Sequence, residues 1–178
     1  MAFRQQTRRV FLGQTTAGAA ALAAQTSTSA AVTPTTSGIL KRPGAEIYYE
    51  TTGSGPAIVF AHGLGGSHLS WWQQVPYFCS HYTCVTFAHR GFAPSRLEAG
   101  VNDPALFAED LATLIDHLKL AEVRLVAQSM GGWTCLDYTL RHPDRVRALV
   151  MAATGGTTDL KTLETPDRKR DCPLVRGK

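Results

Sequence analysis

The stretch Val123–Trp133, with the sequence VRLVAQSMGGW, decides the fold and contains the main candidate functional residue. Its first part is an aliphatic run of strand length and the residues from Met130 onward suit a helix, which predicts a sharp strand-to-helix turn at Gln128-Ser129. A serine on such a turn has a strained backbone and an exposed hydroxyl. The main-chain N–H of Met130 then lies at a helix N-terminus, where unpaired N–H groups can stabilise an oxyanion.

Small residues flank this serine on both sides, Ala127 two positions before it and Gly131 two positions after it. Larger side chains there would push the closely passing strand and helix apart. The sequence AQSMGG resembles the nucleophile elbow of the α/β-hydrolases, with Ala127 in place of the usual first glycine. The resemblance implies that Ser129 is the catalytic nucleophile and that Met130 supplies an oxyanion-hole amide. A serine that only caps a helix after a strand is the alternative interpretation of the motif by itself.

A second stretch supports the resemblance. The continuous apolar run Ala57–Ala61 is typical of a strand buried on both faces, and it ends in His62-Gly63-Leu64-Gly65-Gly66. In α/β-hydrolases an H-G-x loop at this strand end supplies the other oxyanion amide, so the resemblance assigns that role to the N–H of Leu64. The glycines, Gly63 first among them, allow main-chain donors to approach a substrate.

His62 has two interpretations. It is either a catalytic base or a loop-shaping histidine that bonds to nearby backbone, and the second is favoured because the family carries a histidine here without using it for proton transfer. The other histidines are predicted to be structural or solvent-facing: His68, His81, His89, His117 and His142.

A third stretch follows the strand predicted at Tyr82–Ala88, where residues 89–95 read HRGFAPS. It resembles the D-x-R-G-x-G-x-S turn of many α/β-hydrolases, in which the Arg and the Ser tie the loop together beneath the active site. The chain has Ala88 for the Asp and Ala93 for the second Gly, so we expect weaker buried polar ties here.

The remaining periodicity predicts an α/β fold with helices on both faces of a mostly parallel, doubly wound sheet of about six strands. The resemblance implies that this sheet is the N-terminal part of an α/β-hydrolase fold. A helix is predicted from Ser67 to about Phe78. Another is predicted from Asp103 to about Lys119, and it is expected to expose Glu109, Asp110 and Asp116. A helix over Met130–Arg141 and a buried strand over Val146–Ala152 complete the pattern.

The two ends of the chain are predicted to lie outside this domain. Thr7-Arg8-Arg9-Val10-Phe11-Leu12, followed by an uncharged alanine-rich run, resembles a twin-arginine signal. It implies export to the periplasm or beyond in a bacterium, with the twin-arginine translocon as a transient partner. The run is too short to predict a membrane span. The expected organisation is a signal peptide at 1–31, a disordered linker at 32–37, a partial hydrolase domain at 38–154 and an unstructured tail at 155–178.

Charge and cysteine content exclude other classes of function. The chain carries net charge +4, with +3 in residues 1–31 and +3 in residues 161–178, so residues 32–160 carry −2. The expected domain therefore has no basic surface for a nucleic-acid partner. The four cysteines show no C-x-x-C spacing, so no metal or other cofactor is expected. Cys79 and Cys84 are the only pair close in sequence, and export would permit them to form a disulfide.

The α/β-hydrolase order of catalytic residues is serine, then acid, then histidine. No histidine follows His142. We therefore expect a truncated product of a serine hydrolase lineage with negligible turnover, whose substrates would be esters, lactones or carbon–carbon bonds of small carbonyl compounds. A non-catalytic remnant or small-molecule-binding protein is the alternative. Dehalogenase or epoxide hydrolase activity is disfavoured, because those relatives have Asp where this chain has Ser129.

Overall fold

The computed structural model of the protein describes residues 34–98 and 103–154. The predicted signal peptide over 1–31 and the predicted tail over 155–178 lie outside the described residues.

The described residues form one open sheet, whose strands are Thr35–Arg42 (β1), Ala45–Thr52 (β2), Ala57–Ala61 (β3), Thr83–Phe87 (β4), Arg96–Leu97 (β5), Val123–Gln128 (β6) and Val146–Ala152 (β7). The strand order is β1-β2-β4-β3-β6-β7, and the short strand β5 pairs with β2. Pairs β1–β2, β2–β4 and β2–β5 are antiparallel, whereas β3 pairs in parallel with β4 and β6, and β6 with β7. The predicted mostly parallel α/β sheet is thus confirmed, with the two-residue β5 as an additional seventh strand.

Helices cover both faces of the sheet. The α-helices are Gln74–Phe78 (α1), Phe107–His117 (α2) and Met130–Arg141 (α3), and short 3₁₀ helices span His68–Trp71, Pro104–Leu106 and Pro143–Arg145. On one face, α2 and α3 contribute Leu111, Leu114 and Tyr138 to the larger apolar core. On the other face, Trp71 and α1 pack over Phe60 and Cys84. Burial of these apolar surfaces is the main stabilising contribution to the two layers.

Strand β1 begins at Thr35, so the prediction of a disordered linker over 32–37 is wrong for Thr35–Ser37. These residues pair with Thr52–Glu50 of β2. The hydroxyl groups of Thr35 and Thr52 also form a 2.8 Å hydrogen bond. Threonine is β-branched and favours extended backbone, which a composition argument for a linker overlooks.

The predicted helix over Ser67–Phe78 is broken into two parts. Ser67 caps the 3₁₀ helix His68–Trp71 through a reciprocal hydrogen-bond pair with Ser70, and α1 starts only at Gln74. A continuous helix would place Pro76 in its interior, where proline cannot donate the helical hydrogen bond. In the observed arrangement Pro76 lies in the first turn of α1, where proline is tolerated.

Two further predictions concern helix α3 and strand β7. Helix α3 spans Met130–Arg141 as predicted. Strand β7 has the predicted bounds but is not buried, and Val150 remains 54% exposed. In the described part of the chain β7 has a neighbour, β6, on one side only, which explains its exposure.

Candidate active site

The sharp turn between β6 and α3 is present, and Ser129 occupies its corner. Ser129 has φ 48° and ψ −116°, and its side chain is exposed. Its N–H donates a 2.9 Å hydrogen bond to the carbonyl of Ala152 in β7, and its own carbonyl accepts one of 2.9 Å from the N–H of Gly132. A positive φ at a residue other than glycine costs about 1–3 kcal/mol, so the surrounding structure must hold this backbone in place.

Small residues bring the turn into direct contact with the end of β3. A Cβ atom on Gly131 would overlap with the carbonyl oxygen of Ala61 and lie 2.9 Å from that of His62. Ala127 is fully buried and sits opposite Ala61 in the β3–β6 register. The two predicted small positions therefore permit the close passage of α3 and β6 across the end of β3.

The same close passage places the loop after β3 against the serine. A Cβ atom on Gly63 would lie 3.2 Å from the Cβ of Ser129. The next residue, Leu64, has a side chain that is 79% exposed, whereas the side chain of Met130 is 4% exposed. The roles that the resemblance implies for these two residues involve only their main-chain N–H groups.

Both of these N–H groups are available. Within residues 34–98 and 103–154, neither the N–H of Leu64 nor that of Met130 donates a hydrogen bond. Met130 is the first residue of α3, where the helix dipole favours negative charge. Two free N–H groups on segments that meet at Ser129 could stabilise an oxyanion formed when its hydroxyl attacks a carbonyl.

His62 lies directly beneath this loop and is fully buried. Its Nδ1 lies 2.8 Å from the carbonyl oxygen of Gly63, and its Nε2 accepts a 3.0 Å hydrogen bond from the N–H of His89. The accepting Nε2 carries no proton, so the neutral ring carries its proton on Nδ1 and donates it to Gly63. Both ring nitrogens are thus occupied by main-chain groups of the two loops that follow β3 and β4.

His89 continues this buried series of hydrogen bonds. The sequence predicted that His89 is either structural or solvent-facing, and the structure shows it buried. The Nδ1 of His89 lies 3.1 Å from the Nε2 of His62, and its Nε2 lies 2.9 Å from the hydroxyl of Thr134 in α3. The rings of Phe87 and Phe107 pack against it at 4.8 Å and 4.9 Å. No sequence motif indicated either His89 or Thr134, because their contact joins positions that are 45 residues apart.

Burial keeps both histidines neutral. It lowers the pKa of His62, an effect partly opposed by the hydrogen bond to Gly63, and it lowers the pKa of His89 well below 6.5, with a further contribution from the His62 ring. Removing an imidazolium from water is costly where no carboxylate compensates it.

The loop over residues 89–95 is firmly tied, so the prediction of weak polar ties is wrong. Ser95 donates a 2.7 Å hydrogen bond to the carbonyl of Ala88 and accepts one of 2.8 Å from the N–H of Tyr48. Arg90 forms two 2.6 Å hydrogen bonds with the carboxylate of Asp110.

Asp110 was predicted to lie on the exposed face of its helix, and this prediction is wrong. Asp110 is 3% exposed, and besides Arg90 it accepts a 2.9 Å hydrogen bond from Arg42 in β1. A carboxylate from α2 therefore ties Arg90 in place, although Ala88 stands where the motif has Asp. Hydrogen bonding to Asp110 raises the pKa of Arg90 further above its ordinary range.

Two more features bear on chemistry at the site. An open cavity of about 650 Å³ lies between the loops that follow β3 and β4, and its walls carry no charged side chain; it is lined by Gly65, Gly66, Ser67, Leu69, Ser70, Gly91, Phe92 and Ala93. In the part of the chain that the structure describes, no histidine or carboxylate forms a hydrogen bond with Ser129. The described residues therefore bring together an exposed serine hydroxyl and two unpaired main-chain N–H groups, with no histidine or carboxylate bonded to that hydroxyl.

Neither a metal site nor a membrane-crossing helix occurs within the described residues. No three His, Cys, Asp or Glu side chains there come together as metal ligands. None of the helices there has the length and hydropathy needed to span a bilayer. Cys84 is a buried free thiol, so the pair Cys79–Cys84 is not joined by a disulfide.

A family model described as alpha/beta hydrolase fold matches residues 56–171. The non-heme chloroperoxidase CPO-A1 of Kitasatospora aureofaciens is 33% identical over 134 residues, which cover 71% of this chain and 46% of the relative. The uncharacterized hydrolase YraK of Bacillus subtilis is 30% identical over 115 residues, which cover 64% of this chain and 42% of the relative.

Solved structures agree on the fold. The ligand-free epoxide hydrolase CorEH superimposes with a TM-score of 0.65 at 24% identity, over 69% of this chain and 44% of that one. The chain thus spans less than half the length of the curated relatives and the structure compared here.

Proposed function

The chain belongs to the α/β-hydrolase fold family, and from this premise we propose that it carries a serine hydrolase site with Ser129 as the nucleophile. The N–H groups of Leu64 and Met130 form the oxyanion hole in this proposal. The substrate is an ester, a lactone or a similar small carbonyl compound. His62, Gly63, Ala127 and Gly131 hold these groups in position and take no part in proton transfer.

One observation carries the proposal, namely the strained and exposed position of Ser129 beside two unpaired N–H groups. A helix-capping serine would accept a hydrogen bond from the first turn, but Ser129 makes no such bond to α3. The positive φ brings no structural advantage that a glycine could not provide without strain. A function for the hydroxyl explains why serine occupies this corner.

The substrate class in this proposal rests on the open cavity between the loops that follow β3 and β4. None of the side chains that line it is charged, which favours neutral compounds over phosphates or free acids. Epoxide opening through an aspartyl ester is not proposed, because position 129 offers a hydroxyl and no carboxylate. The names of the relatives include peroxidases and epoxide hydrolases, so they do not decide the substrate.

The expected rate of ester hydrolysis is low, because no described histidine or carboxylate is bonded to Ser129 as a base. Without a base and an acid, binding and the oxyanion hole alone leave a residual acceleration of about 10³–10⁴ over water. We therefore propose that the 178-residue chain hydrolyses activated esters slowly, far below the ~10⁶-fold acceleration at the lower end of enzymes.

Hydrolysis of a p-nitrophenyl ester by the purified chain tests both parts. We expect slow release of p-nitrophenol together with an acyl group on Ser129, detected by mass spectrometry; this acyl group should be lost in Ser129→Ala and retained in Ser80→Ala, a change at an exposed serine away from the site. Slow hydrolysis without acylation of Ser129 would exclude the nucleophile. Rapid, Ser129-dependent turnover would instead contradict the proposed low rate of hydrolysis.

A non-catalytic small-molecule-binding protein is the second candidate. The open cavity of about 650 Å³ and the lack of a described base favour it. It predicts that neutral esters bind the parent and Ser129→Ala equally well by calorimetry, without any covalent adduct. An adduct at Ser129 would decide for the hydrolase.

Export is a further proposal and rests on the sequence at Thr7–Leu12 alone. A reporter fused after residue 31 should reach the periplasm of a bacterium with an active twin-arginine translocon. Replacing Arg8 and Arg9 by lysine should keep it in the cytoplasm. Equal export of both fusions would contradict the proposal.

A further inference from the structure

We propose that His89 and Thr134 are positioning residues that fix the orientation of the Leu64 N–H, so that a buried chain of hydrogen bonds connects helix α3 to the oxyanion loop. The proposal rests on the proposed function for the role of that N–H. The hydrogen bonds themselves follow from the distances between the residues and do not depend on the proposed function.

The direction of each hydrogen bond follows from the donors available. The main-chain N–H of His89 donates to the Nε2 of His62, which is therefore unprotonated. The Nδ1 of His89, 3.1 Å from that same atom, must then carry a proton to make a favourable contact. The Nε2 of His89 is left as the acceptor for the hydroxyl of Thr134 at 2.9 Å.

This series of hydrogen bonds ends at the peptide group between Gly63 and Leu64, which carries one of the proposed oxyanion donors. His62 donates from Nδ1 to the carbonyl of Gly63 at 2.8 Å, and the N–H of Gly66 donates to the same oxygen at 3.0 Å. The peptide that carries this carbonyl also carries the N–H of Leu64. In a trans peptide these two groups point in opposite directions, so fixing the carbonyl fixes the N–H.

Such control is needed because the loop could otherwise rotate. The segment 63–66 contains three glycines, and Gly65 has φ 78° with no atom within 4 Å of an added Cβ. Glycine gives a peptide group more freedom than any other residue. Thr134 lies in the second turn of α3, the helix whose first residue, Met130, supplies the other proposed donor. The hydrogen bonds therefore couple the two donors to one helix.

Ring nitrogen ¹⁵N shifts in the parent protein provide the first test and need no variant. We expect His62 and His89 each to carry a proton on Nδ1 and none on Nε2. Protonation of His89 on Nε2 in the folded parent would overturn the proposal, because the hydrogen bond from Thr134 could not then exist.

The matched pair Thr134→Val and Thr134→Ser provides the second test. Valine keeps the shape of threonine but removes the hydroxyl, so we expect a mixture of His89 tautomers and a shifted or broadened Leu64 amide signal. Serine keeps the hydroxyl and should restore both parental signals. An unchanged Leu64 amide in folded Thr134→Val would contradict the positioning role.

Reactivity provides a readout that separates this proposal from the proposed function. If Ser129 reacts with a fluorophosphonate, the reaction should slow about tenfold in Thr134→Val and recover in Thr134→Ser. An equal rate in Thr134→Val would reject the positioning role. Failure of the parent to react would reject the nucleophile, and the tautomer and amide signals would still decide the positioning proposal.

Discussion

At the scale of single residues, the backbone of Ser129 is held in a conformation that L-amino acids avoid, with φ 48°. Backbone strain is commonly found where function requires a particular side-chain position. If the surroundings impose the strain, a residue without a Cβ should relieve it.

This reasoning predicts that Ser129→Gly is more stable than Ser129→Ala. Both variants lack the hydroxyl, so their comparison isolates the backbone. We expect Ser129→Gly to have the higher free energy of unfolding by about 1 kcal/mol. Glycine relieves the backbone strain of the folded state, and this gain is partly offset because glycine increases the conformational entropy of the unfolded chain. Urea denaturation measures the difference, and greater stability of Ser129→Ala would show that the turn is unstrained.

The two buried histidines predict a pH dependence of stability. Their pKa values are lowered in the folded state, whereas the unfolded chain takes up protons near pH 6.5. The unfolded state therefore binds more protons below that pH, and the free energy of unfolding should fall as the pH drops. The slope is at most about 1.4 kcal/mol per pH unit for each histidine.

Denaturation between pH 7.5 and 5.5, above the ordinary range of carboxylates, measures this slope. His89→Phe should have a smaller slope than the parent, and His81→Gln, at an exposed position, should retain the parental slope. Identical slopes in the parent and His89→Phe would mean that His89 is not held neutral by folding.

At the scale of elements, helix α2 is joined to the sheet by a buried ion pair that its amphipathic pattern does not reveal. Asp110 is one of the buried residues of α2, together with Phe107, Ala108, Leu111, Leu114 and Ile115. It pairs there with Arg90 and Arg42. A carboxylate in this position is stabilising only while its partners remain.

Asp110→Ala should therefore lower the free energy of unfolding by about 3–5 kcal/mol, because it leaves the 1%-exposed Arg90 without a counter-charge. Asp116→Ala on the same helix is the matched control. Its carboxylate is exposed and pairs with Arg145 at the surface, so its loss should cost less than about 1 kcal/mol. Similar losses in both variants would contradict a buried role for Asp110.

At the scale of the whole molecule, the predictable parts of the structure were those encoded locally. The strand-to-helix turn at Ser129 and helix α3 follow from a few adjacent residues, and both are found where the sequence placed them. The burial of Asp110 depends on Arg90, 20 residues earlier, and the contact of Thr134 with His89 spans 45 residues. Periodicity within one element carries no information about such partners.

The exposure of β7 illustrates the same limit. Its apolar residues predict burial, but burial depends on what lies beside the strand as well as on its own composition. Similarly, the threonines of β1 look like a linker until they pair with Thr51 and Thr52 in β2.

The reaction of the 178-residue chain with a fluorophosphonate, followed by peptide mapping, tests most directly whether Ser129 and its two neighbouring N–H groups form a catalytic centre. We expect Ser129 to be modified about 10³-fold faster than Ser70, an exposed serine that lines the open cavity, since the oxyanion hole acts on Ser129 only. Modification of Ser129 at a rate no greater than that of Ser70 would contradict the proposed active site.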